Sequence, residues 1–315
     1  MTIPVCSVGC DEGRNEMSAP VKHLGIVVAV DGSPASDAAT CWAARDAALR
    51  NVPLTVVSAV TTPTATYPPV PYPDSLGVWL EDKGRKAAAH AVKIAEDAMP
   101  IDRKVAVKSE IVFSTPAQAL VKMSDEAEMI VVGSSGKGML ARGFLGSVSS
   151  SVVQHAHCPV AVIRDEDLLM PDPQHASVLV GIDGSPASEL ATEIAFDEAS
   201  RRGVDLIALH AWSDVAILEL PDLDWSAMVS EEERSLAESL AGWEERYPDV
   251  TVHRVVVCDE PARLLTEKAE SAQLVVVGSH GRGGLDRMIL GSVSNAVLHA
   301  VKVPVIVARP PAEGR

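Results

Sequence analysis

The sequence predicts an α/β fold built twice, and three observations carry that expectation. Apolar runs of strand length alternate with Ala-rich helical stretches, as in parallel βαβ units joined by right-handed crossovers. The segment from Val178 to Ser188 repeats Ile26 to Ser36 at an offset of 152 residues. The pattern Gly, two residues, Gly, nine residues, Gly-Ser occurs once in each half, starting at Gly133 and at Gly278.

Taken in order, residues 1–22 lack periodicity and are expected to form a disordered tail. The first twenty are polar and broken by Pro and Gly, unlike a secretory leader. A first domain is expected over 23–165. Its first strand, from Gly25, is continuously apolar up to Asp31, as a strand covered on both faces must be. Gly32-Ser33-Pro34 turns the chain, with Ser33 as N-cap and Pro34 at the first helical position. The Ala-rich helix then runs to about Arg50, and Leu54 to Val60 is the second strand. Residues 61–75, rich in Thr, Pro and Tyr, form a long loop before a helix from Leu76 to Met99. Val105 to Val112 alternates as a third strand, and Thr115-Pro116 opens a helix reaching about Glu126. Met129 to Val132 is the fourth strand, Ser147 to His155 the last helix, and Pro159 to Ile163 the fifth strand.

Residues 166–176 read as a linker, and a second domain over 177–310 repeats the order. There Glu260-Pro261-Ala262 and Gly278 match Thr115-Pro116-Ala117 and Gly133 at an offset of 145. The second copy is therefore shorter, and the loss falls between its second strand and third helix, where a shorter loop costs little.

Composition narrows the function classes. The 315 residues are 47% hydrophobic but only 3% aromatic, so Val, Leu, Ile and Ala must build the core. A formal net charge of −16 argues against non-specific binding to nucleic acid or anionic lipid, both of which need a basic face. It does not oppose a small anion held by local dipoles. Five scattered cysteines fit a reducing compartment without a disulfide framework. No apolar run reaches the roughly 18–20 residues of a membrane span, and a cytoplasmic location is expected. No histidine pair has metal-ligand spacing, and neither a Walker loop nor a nucleophile elbow is present. No catalytic residue and no metal site is therefore assigned.

The chemistry concentrates at two recurring features, an Asp that ends the first strand and the glycine loop that ends the fourth. In an open parallel sheet, ligands bind beyond the carboxyl ends of the strands where strand order reverses. If the first and fourth strands are neighbours there, Asp31 and Gly133 face one crevice and Asp183 and Gly278 face another. Gly133 and Gly278 are expected to let a ligand approach the backbone, and Gly136 and Gly281 to supply positive φ. Gly146 and Gly291 open the last helix, whose N–H groups and dipole suit a phosphate. Ser147, Ser149, Ser292 and Ser294 offer hydroxyls to phosphate oxygens, and Lys137, Arg142, Arg282 and Arg287 bring positive charge. Taken singly, each has a plainer role: the Asp as turn cap, Ser after Gly as N-cap, Arg as solvated surface. Joint recurrence in register is what favours a nucleotide-type site.

Val-Asp-Gly-Ser-Pro near the start of the first half (Ile-Asp-Gly-Ser-Pro in the second), with the nine-residue glycine spacing near the end of both, resembles the universal stress protein family in its tandem-domain, ATP-binding form. The resemblance covers about 24–165 and 177–309. It implies two tandem Rossmann-like domains, each an open five-stranded parallel sheet with helices on both faces and ATP at the switch point, with Mg2+ accompanying the triphosphate. Carried over by position, Asp31 and Asp183 contact the adenosine and the backbone at Ala59 and Ala211 contacts adenine. Gly133, Gly136, Gly146 and Ser147, with Gly278, Gly281, Gly291 and Ser292, hold the ribose and phosphates. The second loop, Gly281-Arg282-Gly283-Gly284-Leu285, matches the family pattern. The first departs from it, with Met139 in place of Gly284 and Ala141 in place of Asp286. The family also pairs domains through the last strand, so a homodimer or an intra-chain pseudo-dimer is expected. The implied function is ATP-dependent regulation of a stress or dormancy response; the alternatives are a slow ATPase or phosphotransferase, or a scaffold that binds no nucleotide.

Overall fold

The computed structural model describes residues 24–61, 75–135, 145–164, 175–212, 225–282 and 290–310. In the first half the elements are β1 (Gly25–Ala29), α1 (Pro34–Arg50), β2 (Leu54–Ala59), α2 (Ser75–Ala98), β3 (Val107–Val112), α3 (Pro116–Met123), β4 (Ala127–Gly133), α4 (Ser147–His155) and β5 (Val160–Ile163). The second half gives β6 (Ser177–Gly181), α5 (Pro186–Arg202), β7 (Leu206–Trp212), α6 (Trp225–Arg246), β8 (Val252–Cys258), α7 (Pro261–Ala269), β9 (Ala272–Gly278), α8 (Ser292–Ala300) and β10 (Val305–Ala308).

Local sequence explains the boundaries. Ser33 and Ser185 cap α1 and α5 by accepting from Ser36 N and Ser188 N, each with proline at the next position. Both helices stop in the left-handed region, on Asn51 at φ 56° and on the equivalent Gly203 at φ 66°. The β-branched runs of β1, β4, β6 and β9 are buried on both faces, which is why they lack alternation. The outer strands β3 and β8 instead carry exposed Lys108, Glu110, His253 and Arg254, charges that discourage edge-to-edge pairing.

The strand order is β3-β2-β1-β4-β5-β10-β9-β6-β7-β8. Each half is parallel within itself, and β1 lies against β4 as β6 lies against β9. The two five-stranded sheets are not separate. β5 and β10 pair antiparallel, Val162 opposite Val305 and Val160 opposite Val307, giving one ten-stranded sheet. The apolar last strands thus cover each other within the chain. Two cores result, one on each face of the sheet, and both run through the two halves.

The joint is polar on the face that carries α1 and α5. Arg50 bonds Asp46 at 2.7 Å and reaches Glu198, while Arg202 bonds Glu198 and Asp46, both at 2.9 Å. Both carboxylates are fully buried. Burial and then the charge of Glu198 lift the Asp46 pKa to about 6. At Glu198 burial also pushes upward, but Arg202 and Arg50 outweigh it and hold the carboxyl at about 2. The pair therefore carries its first proton readily and parts with its last negative charge only in strong acid.

Cys41, Cys158 and Cys258 are free thiols, and among the described residues no helix is long and apolar enough to cross a membrane.

Candidate functional site

Because β1 adjoins β4, and β6 adjoins β9, strand order reverses once in each half, and a crevice opens beyond the strand ends at that point. The first cavity measures about 580 Å³ and the second about 600 Å³. Both fall in the roughly 300–1,000 Å³ range of small-molecule sites. Asp31, Ala59, Gly133, Gly146, Ser147 and Ser149 all line the first. Asp183, Ala211, Gly278, Gly281, Gly291, Ser292 and Ser294 all line the second. Gly136, Arg142 and Arg287, with Lys137, lie outside the described residues.

The strand-end aspartates are first of all turn residues. Oδ1 of Asp31 accepts from Ser33 N, and Oδ1 of Asp183 from Ser185 N, each at 2.9 Å. The positive φ of this turn falls on Gly32 (73°) and Gly184 (76°). Oδ2 of Asp183 faces the glycine loop, 2.5 Å from where a Cβ on Gly281 would stand. Arg282 closes the turn from above, donating Nε–H to the Asp183 carbonyl.

Two expectations are corrected by this geometry, and two glycines gain a packing reason besides. Gly281 does not adopt positive φ; it is glycine because a side chain would strike the Asp183 carboxylate. Gly133 and Gly278 line the cavities, and helix packing also requires glycine at both positions. A Cβ on Gly133 would lie 2.8 Å from the Ala35 carbonyl carbon and oxygen, and one on Gly278 2.9 Å from the Ala187 carbonyl carbon. They allow the first turns of α1 and α5 to pack on β4 and β9. Ser149 and Ser294 have their protons committed elsewhere. Ser149 Oγ donates to Gly133 O at 2.6 Å and Ser294 Oγ to Gly278 O at 2.5 Å, stitching the last helix to the strand end.

What faces the cavity with donors to spare is the helix start itself. Gly146 and Gly291 are the N-caps of α4 and α8, and with no side chain they leave the first-turn N–H groups uncapped. The loop is pulled shut behind them, Gly146 N–H to Ser134 O at 2.7 Å and Gly291 N–H to Ser279 O at 2.8 Å. Ser147 and Ser292, at the first helical position, stand on the rim. Apolar side chains also line the cavities, Val57, Leu120 and Val132 in the first and Leu209, Leu265 and Val277 in the second.

A family-model comparison matches the universal stress protein family over residues 25–164 and again over 176–309. The chain belongs to the universal stress protein family. It carries two copies of the family's domain in tandem. A universal stress protein of Mycobacterium tuberculosis H37Rv is 69% identical over 293 residues, covering 93% of this chain and 99% of that protein. A second family member from the same strain is 54% identical over 293 residues, with the same coverage. Among solved structures, a universal stress protein from Archaeoglobus fulgidus superposes with a TM-score of 0.68 at 23% identity, covering 92% of this chain and 97% of that one. A functionally unknown protein from Pseudomonas aeruginosa PAO1 gives a TM-score of 0.56 at 15% identity, covering 92% and 93%. At that identity the likeness is one of fold.

Several lining residues were not singled out from the sequence. Ser36 and Ser188 are one repeat apart and sit inside the matching Gly-Ser-Pro-Ala-Ser runs, so the doubling itself marks them. Pro116 with Leu120 and Pro261 with Leu265 are likewise paired, at the offset of 145. Leu80, Lys83, Gly84 and Ala87 of α2 line the first cavity, and among the described residues none of α6 lines the second. His280, where the first half has Ser135, shares a 2.9 Å hydrogen bond with Ser279 Oγ.

Proposed function

We propose that each half of this universal stress protein binds an adenine nucleotide, ATP in the first instance, and that occupancy governs conformation or partner choice. The observation that carries this reading is the pair of uncapped helix N-termini, on α4 and α8, whose first residues line cavities that also hold apolar side chains. An anion is favoured at such a helix start by free N–H groups and the dipole, and a base is favoured against Val, Leu and Ala. Asp31 and Asp183 line the same cavities and would meet a ribose, and Ala59 at the end of β2 and Ala211 next to the end of β7 would lie beside the base. In this assignment Gly133, Gly146 and Ser147 serve the first ligand, and Gly278, Gly281, Gly291 and Ser292 the second. Arg142 and Arg287, with Gly136, belong to the same loops by sequence.

Mg2+ would arrive with the triphosphate. Among the described residues no cluster of three or more His, Cys, Asp or Glu is placed to hold a metal. The chain's own part is to orient the phosphates and to offset their charge through backbone dipoles.

The deciding experiment combines mass analysis of small molecules released from the purified protein with ATP calorimetry on Ser147→Glu and Ser292→Glu. A glutamate in the first turn suits a helix N-terminus, so the fold is retained while a carboxylate competes with the phosphate. Each single variant should lose one binding event and the double variant both. A double variant that binds ATP like the wild type would refute the assignment.

A further inference from the structure

Besides Arg50 and Arg202, each half sends a further arginine across the joint, and these two exchange places. Arg164 follows β5 in the first half, yet its Nη2 donates to Leu298 O at 2.6 Å and His299 O at 3.2 Å, in the last turn of α8. Arg309, its equivalent 145 residues on, follows β10. Its Nε donates to Ala156 O at 2.8 Å and its Nη1 to Val153 O at 2.9 Å, at the end of α4. A helix leaves its last carbonyls without intrahelical partners, and a guanidinium there satisfies them while opposing the negative end of the dipole.

The helices held in this way are the two whose N-termini face the cavities. Each is tied at its start by its own half. Ser134 N–H bonds Ile163 O at 2.7 Å, and Ser134 O receives Gly146 N–H; Ser279 N–H bonds Ala308 O at 3.0 Å, and Ser279 O receives Gly291 N–H. Each is tied at its far end by the other half. With nine residues apiece the helices span only about 13 Å, so a shift at the capped end is felt at the cavity end. Arg309 is itself buried, which fixes the anchor.

We infer that Arg164 and Arg309 are crossed positioning residues: Arg309 of the second half sets the geometry of the first ligand site, and Arg164 of the first half sets that of the second. The inference rests on the nucleotide reading above.

The test reads one site at a time, by ATP calorimetry on the full-length chain. With Ser292→Glu blocking the second site, Arg309→Met should weaken ATP binding at the first by about fivefold or more, the lower end of coupling between linked sites. Arg164→Met in that background should leave it within about twofold. With Ser147→Glu blocking the first site, the two substitutions should exchange effects. Arg309→Lys, which keeps a cationic donor, should recover much of the loss. If Arg309→Met fails to fold, Arg309→Lys and Arg164→Met carry the comparison. Amide exchange without nucleotide supplies a second arm: Arg309→Met should speed exchange along α4 and spare α8, and Arg164→Met the reverse. Effects confined to each arginine's own half, or equal at both sites, or absent, would overturn the inference. Absence of ATP binding by the wild-type chain would overturn the nucleotide reading instead, and the exchange pattern would still decide whether the helices are anchored crosswise.

Discussion

The two halves agree at the helix starts on Gly146 and Gly291 and differ where the outer helix meets the second strand. In the first half α2 lies close on β2: a Cβ on Gly84 would come within 2.9 Å of Val60 Cγ2 and 3.3 Å of Ser58 Oγ. The faces involved are small, with Ala43, Ala44 and Ala47 on α1 and Ala88, Ala91 and Ala95 on α2, all buried. In the second half Ala43 and Ala47 remain alanine, as Ala195 and Ala199, but the others are larger. Ala44 becomes Phe196, which stacks on Trp243 at 6.2 Å and Tyr247 at 5.7 Å between centroids, while Ala91 and Ala95 become Leu236 and Leu240. Ser58 becomes His210, which bonds Ile182 O at 2.7 Å, pairs with Glu232 at 3.3 Å and stacks on Trp212. Duplication kept the helix starts at Gly146 and Gly291 constant and let the end of the second strand diverge. The first cavity consequently borrows a wall from α2, Lys83 included, and among the described residues of α6 none lines the second.

The largest effects are expected at what the halves share. Glu198→Gln leaves two buried guanidiniums short of a charge, and breaking such a cluster costs about 3–5 kcal/mol. The pH dependence follows from the sign of the shift. Glu198 titrates lower in the folded chain than unfolded, so its contribution is complete above its ordinary value near 4.5 and is lost as pH falls toward about 2. Urea midpoints of wild type and variant should therefore differ widely at pH 7 and converge in acid; a gap that does not narrow would show that the charge is not what stabilises the joint.

Next comes the aromatic wedge. Phe196→Ala should destabilise by about 3–5 kcal/mol, as expected for a fully buried Phe. The chain should then unfold in two steps, its second half first, when followed by Trp243 fluorescence against far-UV dichroism. The first half offers no matching truncation, since Ala44 is already small. Its counterpart is overpacking: Gly84→Val pushes α2 off β2 at about 1–3 kcal/mol and should weaken ligand binding in the first cavity alone. Equal weakening at both cavities in calorimetry would mean that α2 forms no distinct wall.

Much of this was legible in the sequence because it is local or doubled. The helix from Ser147 to His155 and the joining of the last strands followed from apolar patterning, from the repeat and from the family resemblance. The meeting of Asp31 with Gly133 needed only the adjacency of β1 and β4, which parallel topology makes natural. The reasons behind the glycines were not legible. Gly133 is required by Ala35 and Gly281 by Asp183, partners about 100 residues away in the chain, and for Gly281 conformational preference alone suggests the wrong cause. Arg164 and Arg309 repeat in register like the loop residues, yet nothing in that register tells that each reaches the opposite half. Contacts made across a pseudo-two-fold joint look, in one dimension, the same as contacts made within a repeat.

The smallest expected effect bears most directly on how far the cavities have diverged. His210→Ser restores the first half's residue on β7. It leaves Ile182 O without its donor and removes the partner of half-exposed Glu232, so a loss of about 1 kcal/mol is expected. The consequence for binding should exceed that for stability. If the base lies at the end of the second strand, beside Ala59 in one half and Ala211 in the other, the imidazole is what keeps the second cavity from extending toward α6. An ATP analogue with a bulky substituent on its base should then bind the first site better than the second by about tenfold, the usual reach of steric discrimination in an apolar pocket. His210→Ser should narrow that ratio toward one, measured with each site blocked in turn. An unchanged ratio would place the difference between the halves in α2 itself, with Lys83 and Leu80, and Lys83→Met would then be the substitution that makes the two sites alike.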